Sequence, residues 1–128
     1  MTRSSLKVLY VDDEPDIREV AVMALELDAT LDVRSAASGR EALQVLDEGF
    51  VPDAVMLDVM MPEMDGPAVL AALRARGVEA PVVFITARAQ SHETARFLQL
   101  GAAGVITKPF DPMTLALELR AVLARAER

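Results

Sequence analysis

Five times along this chain a short apolar run is followed by a stretch with helical spacing. The runs are Leu6 to Val11, Asp32 to Ala36, Ala54 to Leu57, Val82 to Thr86 and Gly104 to Thr107. Most are apolar at nearly every position, as strands covered on both faces must be. The second run alternates Asp32 and Arg34 with Val33 and Ser35, a pattern that suits a sheet edge. Strands joined through helices pair in parallel, with the helices packed on the sheet faces. The expected class is therefore α/β, and the 128 residues suit one domain over residues 1–128.

The helices carry their own start and stop signals. Pro15 fits the first turn of helix one, whose apolar positions are Ile17, Val20, Ala21, Ala24 and Leu27. Ser38 and Glu41 form a capping box for helix two, with Ala42, Leu43 and Leu46 inward. Asp65 and Pro67 start helix three, with Val69, Leu70 and Leu73 inward and Gly77 as its stop. Ser91 is the expected cap of helix four, which carries Ala95, Leu98 and Leu100 and ends near Gly101. Asp111 and Pro112 open helix five, with Leu115, Leu119 and Val122 as its inward row. That helix also holds Met113, Leu117, Ala121 and Leu123, more apolar surface than one buried side needs. Packing against helix four accounts for some of it; a partner or a homodimer contact is the other reading.

Composition narrows the function. The net charge of −7 argues against direct nucleic-acid binding and against a basic membrane patch. There is no cysteine, hence no thiolate metal site. No apolar run is long enough to span a bilayer. The first residues meet a strand at once without a signal-peptide pattern, so a cytoplasmic location is expected.

Four strand ends carry the chemistry. Strand one ends in Asp12 and Asp13, strand three in Asp58, strand four in Thr86 and Ala87, and strand five in Lys108. In a parallel sheet these ends share one edge, the edge where ligands bind in open α/β folds. Crowded carboxylates repel one another, and a hard divalent cation such as Mg²⁺ relieves that repulsion. A carboxylate can also attack phosphorus and form an aspartyl phosphate. Such a transfer asks mainly for positioning and charge neutralisation, which Mg²⁺ and Lys108 would supply. Thr86 could donate to a phosphoryl oxygen, and Ala87 would leave room for it. Asp58, between a buried strand and the turn marked by Pro62 and Gly66, is the candidate centre.

With those residues in place the chain resembles a response-regulator receiver domain of two-component signal transduction. The matching segments are Val11-Asp12-Asp13-Glu14-Pro15, the stretch from Asp58 to Gly66, Ile85-Thr86-Ala87, and the stretch from Gly101 to Phe110. They stand in the family's order and spacing, and the resemblance extends over essentially the whole chain. The resemblance implies a CheY-like, flavodoxin-like (βα)5 three-layer sandwich with parallel strand order 2-1-3-4-5. It implies that Asp58 accepts a phosphoryl group from a histidine kinase or a histidine phosphotransfer protein. Asp13 and Asp58 would hold Mg²⁺ through their side chains, Asp12 through a bound water, and Met60 through its backbone carbonyl. Lys108 would pair with the acids and then with the phosphoryl group. The Lys108–Pro109 bond is often cis in the family. The implied role is a signalling phosphoacceptor rather than an enzyme, read by an unknown downstream protein on the face of helix four, strand five and helix five.

Two positions tune the phosphoryl lifetime in the family, and here they are Met60 and Arg88. Neither orients water, so slow autodephosphorylation is expected. The family commonly has an aromatic switch three residues before the lysine; this chain has Val105. That departure keeps open a degenerate receiver that works as a phosphorylation-independent interaction module. A flavin carrier would need a phosphate-binding loop where Asp12, Asp13 and Glu14 stand. A haloacid-dehalogenase-like phosphatase would need a second Asp where Met60 stands. An EF-hand would need glycine where Ile17 stands. His92 reads as a solvated residue, and Tyr10 as packing. With no output domain after helix five, the chain is expected to be a stand-alone regulator or a receiver cut from a longer protein.

Overall fold

The computed structural model describes residues 5–87 and 90–126. Strands and helices alternate as β1 Leu6–Val11, α1 Pro15–Glu26, β2 Leu31–Ala36, α2 Gly39–Asp47, β3 Ala54–Asp58, α3 Gly66–Ala75, β4 Val82–Thr86, α4 Ser91–Gln99, β5 Gly104–Thr107 and α5 Leu115–Ala126. All strand pairs are parallel, and the sheet order is β2-β1-β3-β4-β5. This is the flavodoxin-like architecture expected, with alternating β2 at one edge.

Alternate strand residues leave on opposite faces, and the chain uses that period to build two cores. Leu9, Val11, Val55, Leu57, Val82 and Phe84 meet Ala42, Val45, Val69, Leu70, Leu73 and Phe97 of α2, α3 and α4. Val8, Tyr10, Met56, Val83, Ile85 and Ile106 meet Ala21, Ala24, Leu25, Leu115, Leu119 and Val122 of α1 and α5. Helices therefore cover both faces, and the strand ends emerge together at one rim.

Several local signals act as the sequence suggests. Ser38 Oγ accepts from Glu41 N, and Asp65 Oδ1 accepts from Ala68 N at the start of α3. Gly77 and Gly101, at φ +81° and +108°, follow the ends of α3 and α4. The Lys108–Pro109 bond is cis.

Other expectations are corrected. Val20 and Leu27 do not face the core; α1 buries Ala21, Ala24 and Leu25 instead. The buried face of α1 is centred on those three residues, which leaves Val20 and Leu27 on its flank. On α2 the deepest residues are Ala42 and Val45, with Leu43 and Leu46 half-buried against them. Ser91 is the first helical residue of α4, and Gln90 holds the cap position. Ala95, Leu98 and Leu100 are exposed, and Phe97 is the residue that α4 buries. Helix α5 begins at Leu115, because Asp111 first closes a turn by accepting from Met113 N. Farther along α5, Arg120 Nε donates to Asp28 Oδ2 at 2.8 Å, and the same guanidinium reaches Thr30 Oγ1. The hydrogen bond from Arg120, then those from Thr30, hold the Asp28 carboxyl well below the usual carboxylate range.

Glu63, in the loop between β3 and α3, stands at φ 67°. A side chain other than glycine, asparagine or aspartate is strained there. Glu63→Asn is expected to raise unfolding stability by about 0.5–1 kcal/mol. The Arg40–Glu63 pair that it removes spans 3.8 Å between two exposed side chains, and such surface pairs contribute little. Urea denaturation checks this, and a loss of stability would refute the strain argument.

Candidate functional site

The rim is assembled by strand register. Val11 pairs with Leu57, and Asp58 pairs with Ile85. Asp12, one residue past Val11, thus lies beside Asp58. Thr86 pairs with Thr107, which places Lys108 one residue beyond that pair. Asp12, Asp58 and Thr86 are all buried. A chain that buries two carboxylates must compensate them.

Lys108 is the compensating charge. Its Nζ lies 3.0 Å from Asp12 Oδ2, 3.4 Å from Asp58 Oδ2 and 3.3 Å from Glu14 Oε1. Burial alone would lower its pKa. The hydrogen bond and charge of Asp12, then the charge of Asp58, then Glu14, more than offset that and hold the ammonium above the ordinary lysine value. Lys108 is therefore cationic across the neutral range.

Asp12 is held from several sides. Its Oδ1 accepts from Glu14 N at 3.0 Å, and its Oδ2 accepts from the Tyr10 hydroxyl at 3.1 Å as well as from Lys108. Its backbone carbonyl accepts from Arg18 at 2.7 Å. Burial, then the charge of Asp12 and the hydrogen bond to it, push the Tyr10 phenol above its usual range.

Asp58 is the group whose ionisation is most in play. Burial first, then the charge of Asp12, raise its carboxyl to about 6, against the opposing pull of Lys108. A raised value in the folded state means that folding favours the protonated form. That contribution is present below the unfolded value near 3.8 and is lost as pH rises through about 6. At pH 7 without divalent cations, Asp58→Asn is expected to unfold at higher urea, by about 1–2 kcal/mol once screening at the open rim is allowed for. The difference should vanish near pH 4. Equal stability at both pH values would exclude a strained Asp58.

The oxygens of Asp12, Glu14 and Asp58 approach within 4.8 Å of one another, an all-oxygen donor set suited to a hard cation. Glu14 is the member that sequence reasoning missed. Asp13 is half-buried and outside that trio. Met60 is 78% exposed at the lip, while its amide donates to Asp58 Oδ1 at 3.4 Å. Ala87 is exposed beside it. Arg88 lies outside the described residues. Val105 is half-buried against the core under α4. Gly66 packs close to the end of β3: a Cβ there would stand 3.0 Å from the Asp58 carbonyl oxygen and 3.0 Å from Val59 Cα. An apolar pocket of about 500 Å³ opens beside Lys108, between Ile17 and Val20 of α1 and Pro109, Phe110 and Pro112.

This rim on a parallel sheet of order β2-β1-β3-β4-β5 has known counterparts. The family model of the response regulator receiver domain matches residues 8–120, and the chain belongs to that family. Among curated proteins it is 33% identical over 121 residues to the response regulator SaeR of Staphylococcus aureus, covering 94% of this chain and 52% of that protein. The chain thus spans about half the length of the curated relatives it matches. Among solved structures it is 34% identical to the chemotaxis response regulator CheY4 of Vibrio cholerae, with a TM-score of 0.83 over 93% of this chain and 99% of that one. It is also 34% identical to the receiver domain of the putative response regulator NarL from Mycobacterium tuberculosis, with a TM-score of 0.81 over 97% and 98%. Among the described residues no helix is long and apolar enough to cross a membrane.

Proposed function

We propose that this domain is a phosphoacceptor in a two-component or phosphorelay system. Asp58 takes a phosphoryl group from a phosphohistidine of a histidine kinase or phosphotransfer protein, and a partner protein reads the altered conformation. The observation that carries the reading is Lys108 held between two buried carboxylates at one rim of the sheet. One Asp58 oxygen attacks phosphorus as the bond from phosphorus to the imidazole nitrogen breaks, and the bonding electrons return to the ring. At neutral pH most of Asp58 is ionised and nucleophilic, since its carboxyl titrates near 6. Lys108 moves toward the new phosphoryl oxygens, and the Thr86 hydroxyl turns to donate to one of them.

A divalent cation, Mg²⁺ in this reading, supplies further charge neutralisation when bound. Asp13, Asp58 and the Met60 carbonyl would hold it, with Asp12 acting through a bound water. Glu14 adds to the negative field that attracts the cation. The side chain of Met60, at the lip, is neither a carboxylate nor an amide that would orient a hydrolytic water, and Arg88 is by its residue type neither of these, so the phosphoryl group is retained. Downstream, Val105 has no ring to rotate. The readout is on the face of α4, β5 and α5; Leu98 and Leu100 at the end of α4, Met113 before α5 and Leu117 within it are exposed.

Intact mass after incubation with Mg²⁺ and acetyl phosphate tests the chemistry. One added phosphoryl group is expected, absent in Asp58→Asn and without Mg²⁺, and persisting for minutes or longer after the donor is removed. No adduct with acetyl phosphate or with a phosphorylated donor protein would leave the phosphorylation-independent interaction module.

A further inference from the structure

Tyr10 is fully buried among apolar side chains, yet its hydroxyl is spent on an acid of the rim. The geometry follows from strand period. Residues two apart on a strand point to the same face, so Tyr10 reaches the carboxylate of Asp12 from within the core. Both contacts meet on one atom: Asp12 Oδ2 accepts from Tyr10 at 3.1 Å and lies 3.0 Å from Lys108 Nζ. Packing does not require the oxygen, since a phenyl ring would fill the same space.

We infer that the Tyr10 hydroxyl is a positioning group that lets Asp12 release Lys108. Resting on the phosphoacceptor reading, the argument concerns what Asp12 has left when Lys108 turns to a phosphoryl group. Asp12 is fully buried, so a partner that it loses must be replaced from within the site. A buried carboxylate that loses a donor resists the loss. With Tyr10 fixed on Oδ2 and Glu14 N on Oδ1, both oxygens keep a partner after Lys108 departs. The hydroxyl also draws off part of the negative charge of Asp12, which weakens its hold on any cation. Without it, Asp12 grips Lys108 and a metal ion more tightly.

The variant Tyr10→Phe separates this role from simple packing. Two opposite changes are expected. Mg²⁺ binding, measured by calorimetry, tightens about threefold, and phosphorylation by acetyl phosphate at saturating Mg²⁺ slows about three- to tenfold, the scale of one typical intramolecular hydrogen bond. A loosened core would weaken both. Unchanged binding and rate with lower stability, or a loss of both together, overturns the inference.

The unaltered protein gives a second readout. Tyr10 is its only tyrosine and it has no tryptophan, so near-ultraviolet absorbance reports the phenol directly. That band should shift as Mg²⁺ is added, with the midpoint found by calorimetry. A flat titration across the binding range overturns the inference as well. If the unaltered protein binds Mg²⁺ but takes no phosphoryl group, the phosphoacceptor reading fails, while the binding comparison still decides whether Tyr10 tunes Asp12.

Discussion

Lys108→Met is expected to lose about 3 kcal/mol of unfolding stability at pH 7 in the absence of divalent cations, the scale for removing one partner of a buried ion pair. Its side chain is only 10% exposed, and the carboxylate of Asp12 beside it is 0% exposed. Methionine fills much the same space, so the loss would be electrostatic. Two carboxylates would be left buried with no cation, and a third, Glu14, would add to the repulsion. The sign of any rescue follows. Mg²⁺ should restore part of the loss by replacing the missing charge. Lower pH should restore part of it by protonating Asp58. Phosphorylation should slow by about a hundredfold even at saturating Mg²⁺, since a fixed charge at the transferring group is gone. Urea denaturation with and without Mg²⁺ measures the first effect. A loss under about 1 kcal/mol, the scale of a solvated pair, would mean that water already compensates these carboxylates.

Phe84→Ala is expected to lose about 3–5 kcal/mol, as for other buried aromatic truncations. A domain of this kind has only about 5–15 kcal/mol in total. The Phe84 ring lies edge-on to Phe97, with centroids 5.0 Å apart and planes at 70°. Among the described residues, Phe97 is the one side chain that α4 buries deeply. α3, by contrast, is held by Val69, Leu70 and Leu73. The damage should therefore be uneven. Amide exchange should accelerate in α4 before it does in α3, and Phe84→Leu, which keeps the site apolar and partly filled, should soften both effects. Equal acceleration in the two helices would show that α4 has anchors besides this ring pair.

The strands were legible because burial on both faces leaves little room for polar residues. Four short apolar runs and one alternating edge therefore stood out, and their ends marked Asp12, Asp58, Thr86 and Lys108. Helix faces were harder to read. On α1 Val20 and Leu27 share the helical period of the core, but the buried face is centred on Ala21, Ala24 and Leu25. On α4 a short helix with few apolar residues gave no stripe, and size was the better guide, since Phe97 is its largest side chain. Glu14 is hard to read from the sequence because it lies past the strand end that Asp12 and Asp13 mark. Yet the turn into α1 returns Glu14 to the rim, two residues after Asp12. Tyr10 read as packing, which is half of what it does. Its spacing from Asp12 was the available signal, since strand period places both on one face.

Helix α5 can be viewed as a beam with unequal supports. Arg120, bonded to Asp28 and Thr30 in the connection from α1 to β2, clamps it toward the end of the sheet remote from the acids. The opposite end follows the loop that begins at Lys108, where Met113 and Leu117 stand in solvent. Buried Leu115 and Leu119 seat that near end on the sheet as well. A push at the start of α5 would therefore be carried along the whole helix rather than absorbed where it arrives.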